Sequence, residues 1–255
     1  MKFIIAESAG FCFGVKKAVE TVEKNIGLYP HLYTYGEIIH NPQVVEDFKN
    51  RGVRAVNSPD EAEKDSAVII RSHGASTKEI DAFIKKGIKI IDATCPFVKR
   101  IQKIVQTALQ NGDFIVIIGE RSHPEVVGIN GHCEDSGCVI NSPGEVDLLP
   151  DTEKDVTVVA QTTTQKELYD EICRELEKKY GKIKKYDTIC DATVTRQKEA
   201  RELAKKADVT VVIGGKQSSN TAKLYKICSE YSKRTYAAER PSDVSAIKIY
   251  KNDII

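Results

Sequence analysis

Short apolar runs alternate along this chain with stretches in which apolar residues recur every three or four positions, the pattern of buried strands followed by amphipathic helices. Three families of such segments repeat. The first comprises FIIAESAGFCFGVKKAVETV at 3–22, IKIIDATCPFVKRIQKIV at 88–105 and YDTICDATVTRQKEARELA at 186–204. In each, a cysteine falls where a buried strand should end and a helix should begin. A basic residue follows near the same offset: Lys16, Lys99 and Arg196. The second family is strand, glycine, polar loop and helix start: YTYGEIIHNPQVVEDF, FIVIIGERSHPEVVGI and TVVIGGKQSSNTAKLYKI, beginning at 33, 114 and 210. The same 28 residues separate Cys12 from His40, Cys95 from His123 and Cys190 from Ser218.

The third family, strand, polar tip and helix, has two members, AVIIRSHGASTKEIDAF at 67–83 and VTVVAQTTTQKELYDEI at 156–172. A third copy is expected to begin near residue 250, where SAIKIYKNDII closes the sequence, so the repeat predicts one more functional loop than the 255 residues contain. Strands alternating with helices at this spacing argue for parallel sheets wrapped by helices. The expected fold is α/β: three small units in pseudo-threefold arrangement around a central cavity. The boundaries follow the cysteines. Residues 1–12 form an N-terminal strand with the first cysteine, and 13–95, 96–190 and 191–255 form units one, two and three, the last short at its C-terminal end. Loops at the carboxyl ends of parallel strands are where such folds bind ligands, and the repeat aims three cysteines and several polar tips there.

Composition narrows the picture. The 38 basic and 37 acidic residues leave a net charge of +1, so no global field favours nucleic acid or an anionic membrane. The apolar run near the start is too short for a signal-peptide core, and no stretch approaches a membrane span of about 20 apolar residues. A cytoplasmic, reducing compartment is therefore expected, in which seven cysteines, an odd number, do not form a disulfide framework.

A single cysteine in such a protein is ordinarily a small buried hydrophobe. Cys12, Cys95 and Cys190 are different, because packing has no reason to select one position in three repeats, whereas a shared metal centre needs one thiolate from each. Cys173 and Cys228 lie in apolar-periodic helices and read as core. Cys133 and Cys138, with one adjacent His132, lack the four clustered ligands of structural zinc and read as a flexible loop. Three thiolates are one fewer than a saturated 4Fe-4S cluster takes, which leaves one iron open to act as a Lewis acid on a substrate oxygen. The residues leave two alternatives open: an open zinc site for hydrolysis, or a redox sensor whose cysteines oxidise.

The tips of the second and third families carry His40, His73, His123, Thr162, Ser218, Ser219 and Asn220. Each has a plain reading as a surface residue or helix cap. Matched histidines in two units, with Ser-Ser-Asn at the corresponding tip of the third, point instead to an anion such as phosphate or diphosphate held at helix N-termini. His31 and His132 fall outside the register. Glu125, in the first turn after His123-Pro124, brings an acid to a donor-rich site and reads as a proton donor, with Thr162 placed to relay or position that proton. There is no G-x-G-x-x-G after a strand and no P-loop, so a nicotinamide bound by the chain itself is not supported.

The blocks AGFCFGVKKA at 9–18, GEIIHNP at 36–42, RSHGA at 71–75, DATCP at 92–96, SHPE at 122–125, AQTT at 160–163, ICDATxxRQ at 189–197 and SSN at 218–220 together resemble the IspH/LytB family of 4-hydroxy-3-methylbut-2-enyl diphosphate reductases. The resemblance runs over essentially the whole chain. It implies an oxidoreductase of isoprene biosynthesis, catalysing the last step of the methylerythritol phosphate pathway by reductive dehydroxylation to isopentenyl and dimethylallyl diphosphate. It implies one 4Fe-4S cluster on Cys12, Cys95 and Cys190 with one open iron that binds the hydroxyl. Diphosphate contacts are implied for His40, His73, His123, Ser218, Ser219 and Asn220, with Thr162 near the hydroxyl and Glu125 supplying protons. The implied partners are the small allylic diphosphate and an external one-electron donor such as ferredoxin or flavodoxin, with no nucleic acid and no membrane. The family usually continues with a GITAGASxP stretch whose serine also touches the diphosphate. This sequence lacks it, and the 255-residue chain is expected to bind diphosphate more weakly than one that has it.

Overall fold

In the computed structural model, which describes residues 2–255, the chain forms two compact units: residues 12–39 with 43–189, and residues 2–11, 40–42 and 190–255. The larger unit holds two four-stranded sheets. The first is built in the order α1 (Phe13–Asn25), β1 (Leu32–Tyr35), α2 (Pro42–Asn50), β2 (Val53–Val56), β3 (Ala67–Ile70), α3 (Thr77–Lys85) and β4 (Lys89–Asp92). The second repeats that order with α4 (Pro96–Gln110), β5 (Phe114–Ile118), α5 (Pro124–Gly131), β6 (Cys138–Ile140), β7 (Val156–Ala160), α6 (Lys166–Tyr180) and β8 (Ile183–Lys185). Strand orders are β2-β1-β3-β4 and β6-β5-β7-β8, and every pair is parallel. The two sheets thus follow one path, which is the repeat seen in the sequence.

The unbroken apolar runs become central strands because both of their faces are covered. Ile115 and Ile117 of β5 point into a core with Ile101 and Val105 of α4 and Val126 and Ile129 of α5. Val116 and Ile118 point the other way, against Ile172 and Leu176 of α6. In the first sheet, Ala67 and Ile69 of β3 meet Ala18 and Val22 of α1, while Val68 and Ile70 meet Phe83 of α3. α4 shows why these helices are amphipathic: Val98, Ile101, Val105 and Ala108 form one buried stripe, and Lys99, Arg100 and Lys103 face outward.

One expectation needs correction. The strands leading into Cys95 and Cys190 are not buried, since β4 and β8 lie at sheet edges and are partly exposed. An edge strand is covered less than a central one, which is why IKII and its counterpart carry lysines and aspartate among their apolar residues.

The smaller unit contains α7 (Asp191–Ala204), β9 (Thr210–Ile213), α8 (Ser219–Tyr231), β10 (Thr235–Ala238) and α9 (Pro241–Ser245), with β9 and β10 parallel. Beside the start of β9, the Ile254 carbonyl accepts from the N–H groups of Asp208 (2.8 Å) and Val209 (3.1 Å). Residues 253–255 pair in parallel with residues 2–4: Lys2 N–H donates to Asp253 O (3.0 Å), Ile255 N–H to Lys2 O (2.9 Å) and Ile4 N–H to Ile255 O (2.7 Å). This corresponds to β3 with β4 and β7 with β8, where the second partner leads into a cysteine. Among the described residues, no helix is long and apolar enough to cross a membrane.

Ile117, fully buried in the middle of β5, should be costly to truncate. Ile117→Ala is expected to lower the unfolding free energy by roughly 2–5 kcal/mol. Ile84→Ala, at an exposed position on α3, should stay within about 0.5 kcal/mol of the parent. Urea denaturation of both variants checks this.

Candidate functional site

Each of the three register cysteines is a helix N-cap: Cys12 for α1, Cys95 for α4 and Cys190 for α7, in non-helical backbone and with no side-chain cap bond. A residue at this position lies beside the unpaired backbone N–H groups of a helix start. All three are half-buried. The remaining four sit differently. Cys133, Cys173 and Cys228 are buried and Cys138 is half-buried; desolvation raises the pKa of each thiol, that of Cys228 to about 11. The turn joining Cys133 to Cys138 is tight rather than flexible: Glu134 and Asp135 have positive φ, and Cys133 Sγ lies 3.2 Å from the Asn130 carbonyl.

Glycine brings the first two cysteine segments together. A Cβ on Gly14, in the first turn of α1, would stand 2.5 Å from Cys95 Sγ and 3.1 Å from Cys95 Cβ, so only glycine fits that approach. Cys190 Sγ lies 3.1 Å from the hydroxyl of buried Thr193. Two of the cysteines are presented by an aspartate three residues earlier. Asp92 Oδ1 accepts from Thr94 N–H (2.9 Å) and its other oxygen pairs with Lys99. Burial alone would push the Asp92 carboxyl up, but the bonds from Lys99 and Thr94 outweigh it and hold its pKa below the usual range. Asp187 likewise accepts from Ile189 N–H (3.2 Å) and from Lys166 Nζ (2.9 Å).

The polar tips sit where strands end. Ser76 and Glu79 close a capping box that starts α3 just past His73, and Gly74 takes φ +77° to make that turn. His123 is the N-cap of α5: its Nδ1 accepts from Glu125 N–H at 3.1 Å, which leaves Nε2 to carry the proton of the neutral ring. The His73 and His123 rings meet edge to face, with centroids 5.3 Å apart. Glu125 is buried, and Thr162 engages both of its oxygens: Thr162 N–H donates to Oε1 (2.6 Å) and the Thr162 hydroxyl to Oε2 (2.7 Å). The sequence pointed to both residues, and the fold makes them one unit. Gln161, fully buried beside them, had no signal of its own; its side chain accepts from Glu120 N–H and donates to Thr163 Oγ1, each at 3.0 Å, which fixes the Thr162 loop.

In the smaller unit, His40 is packed by its backbone against Gly215, where a Cβ would fall 2.0 Å from the His40 carbonyl oxygen. Ser218 serves as the N-cap of α8, accepting from Thr221 N–H at 3.2 Å. Ser219 Oγ lies 3.0 Å from Lys223 Nζ, and Asn220 follows half-buried in the first turn. Lys223 adds a cation to this tip that its place one turn along the helix could have signalled. The two histidines outside the register have structural roles. His31 pairs with Glu63 on the surface (2.9 Å). His132 bonds Gln106 and the Ala75 carbonyl, and burial lowers its pKa.

Residues 3–255 match the family described as LytB protein. A 4-hydroxy-3-methylbut-2-enyl diphosphate reductase of Caldanaerobacter subterraneus subsp. tengcongensis is 47% identical over 260 residues, covering 100% of this chain and 90% of the relative. Among solved structures, the E-1-hydroxy-2-methyl-but-2-enyl-4-diphosphate reductase from Plasmodium falciparum superposes with a TM-score of 0.92 at 28% identity, over 99% of this chain and 81% of that one. A structure of (E)-4-hydroxy-3-methyl-but-2-enyl diphosphate reductase, described as the terminal enzyme of the non-mevalonate pathway, is 40% identical with a TM-score of 0.71, over 97% and 91% of the two chains.

The Gly14 contact is directly testable. Gly14→Ala should destabilise the fold by about 1–3 kcal/mol, as overpacking does. It should also change the alkylation rate of Cys95 while leaving that of buried Cys228 unaltered, read by mass spectrometry of the folded protein.

Proposed function

The chain belongs to the LytB family, and from that premise we propose that it reductively dehydroxylates 4-hydroxy-3-methylbut-2-enyl diphosphate to isopentenyl and dimethylallyl diphosphate, ending the methylerythritol phosphate route. The allylic C–O bond breaks, water leaves, and the carbon skeleton takes up two electrons and a proton as a new C–H bond forms. A second proton leaves with the water. The observation that carries this reading is the cysteine set: a helix N-cap in three copies, with Gly14 opening space against Cys95 Sγ.

Three thiolates at positive helix ends fit a soft, thiophilic centre, and Cys12, Cys95 and Cys190 would hold one 4Fe-4S cluster with an open iron. Such a cluster supplies single electrons and a Lewis-acidic iron for the substrate oxygen. The cysteine register keeps the division at 1–12, 13–95, 96–190 and 191–255 as part of the proposal, with Cys12, Cys95 and Cys190 each closing a segment. An external one-electron donor such as ferredoxin or flavodoxin, the partner the family resemblance implies, would deliver the electrons. A reducing cytoplasm suits three half-buried thiols.

The protein's own groups do the rest. His40, His73, His123, Ser218, Ser219 and Asn220 would bind the diphosphate through ring N–H, hydroxyl and amide donors, helped by helix N-termini. His123 is suited to this by its tautomer, since Nδ1 accepts from Glu125 N–H and the proton of the neutral ring is then on Nε2. Glu125 would hold the proton. When ionised it accepts from Thr162 at both oxygens. When Oε2 is protonated it can donate to the Thr162 hydroxyl, which then turns its own hydrogen toward the substrate. That exchange makes Thr162 a relay and keeps the buried carboxyl bonded in either state.

Anaerobic reconstitution followed by iron and sulfide analysis should find about four of each per chain. Electron paramagnetic resonance of the reduced protein should change when substrate is added. Zinc in place of iron would overturn the reading. Glu125→Gln should leave the substrate Kd within a few-fold of the parent and lower turnover by about 10²–10⁴, the size of a lost proton donor. Isothermal titration and a product assay separate the two effects.

A further inference from the structure

The segment before Cys12 lacks the device that presents the other two cysteines. Asp92 and Asp187 stand three residues before Cys95 and Cys190 and hold their turns through a backbone N–H. The corresponding residue before Cys12 is Ala9, whose side chain has no acceptor. Residues 7–10 are instead gripped from α7. Arg196 Nε–H donates to the Ser8 carbonyl (3.1 Å), and its Nη2 donates to the Gly10 carbonyl (2.6 Å). Glu199, three residues on and so on the same face of the helix, accepts from Glu7 N–H (2.5 Å), Ser8 N–H (3.0 Å) and the Ser8 hydroxyl. Carbonyls and N–H groups of one short loop are therefore both satisfied by charged side chains, the stronger class of hydrogen bond. Gly10 has φ +93°, a conformation in which glycine carries no penalty, so the carbonyl taken by Arg196 belongs to the residue that sets the loop's course.

We infer that Arg196 and Glu199 are positioning residues for Cys12, replacing from α7 the turn aspartate that Cys95 and Cys190 have in their own loops. The chain reaches Cys12 two residues after Gly10, so the clamp fixes the direction from which that thiol is delivered. The inference rests on the reading of Cys12 as a metal ligand, but the clamp itself does not need metal to be measured. The helix that begins with Cys190 also carries the clamp, so delivery of one cysteine is coupled to the placement of another.

The test uses the full chain in two states. In the metal-free protein, Arg196→Ala and Glu199→Ala should raise amide hydrogen exchange in residues 7–12 by about tenfold or more, as local opening becomes easier, and leave residues 90–95 unchanged. In the anaerobically reconstituted protein, the same variants should bind less iron, and Cys12 should be alkylated faster than Cys95. Arg196→Lys and Glu199→Gln, which each keep part of the bonding, should fall between variant and parent, and they serve if the alanine variants do not fold. Exchange in residues 7–12 that stays within about twofold of the parent in all four variants would overturn the clamp. A parent chain that takes up no iron would instead overturn the metal reading, with the exchange result standing by itself. Loss of thermal stability with no preferential opening of residues 7–12 would show a merely structural contact and would also overturn it.

Discussion

Burial of β3, β5 and β7 on both faces is the constraint from which the rest follows. A strand with helices on either side has no lateral surface on which to carry polar chemistry without leaving it unsatisfied. Parallel connection then sends every strand in a sheet the same way, so polar residues collect at the carboxyl ends, where the next helix begins. His73, His123 and Thr162 all occupy such ends, and Cys95 and Cys190 occupy the ends of the edge strands. The helix starts supply oriented N–H donors, and Lys223 adds a cation at the Ser219 tip. An overall charge near zero is compatible with binding a diphosphate because the donors are local and oriented.

The Glu125 and Thr162 pair illustrates how a buried acid is tolerated. Its two oxygens receive two hydrogen bonds from one residue, and that residue sits on a loop braced by Gln161. An isolated carboxylate at such depth would cost several kcal/mol and would take up a proton to avoid it. Here the acceptor capacity is met by a hydroxyl that can reverse its direction and a backbone N–H that cannot. The oxygen facing the hydroxyl therefore keeps a hydrogen-bond partner whether or not it carries a proton.

Much of this was legible in the chain itself. The equal spacing from cysteine to loop tip reported a repeated sheet path, and unbroken apolar runs reported strands with two covered faces. The cysteines, Glu125 and Thr162 were visible because repetition or an odd chemical type made them stand out. Other features left no mark. The burial of the strands before Cys95 and Cys190 was misjudged, because a short apolar run does not tell an edge from a centre. Gly14 is one small residue among many, and its importance depends on a sulfur 81 positions away that no local pattern could indicate. Gln161 belongs to a residue type that usually faces solvent, whereas Lys223 could have been found from its place one turn past Ser219. The Cys133 turn was misread as flexible because its order comes from Asn130, which bonds back to it from the preceding helix.

The pairing of residues 2–4 with residues 253–255 has a temporal consequence. About 250 residues separate the two segments, so the ribosome delivers the second about 12–50 s after the first at ordinary elongation rates. The two four-stranded sheets can assemble from neighbouring sequence in that interval, while residues 2–4 wait for residues 253–255. Contacts of such separation are the slow ones in folding. Cys12 lies shortly after the waiting segment, so a metal centre that needs it would gain its final support only once residues 253–255 have emerged and paired.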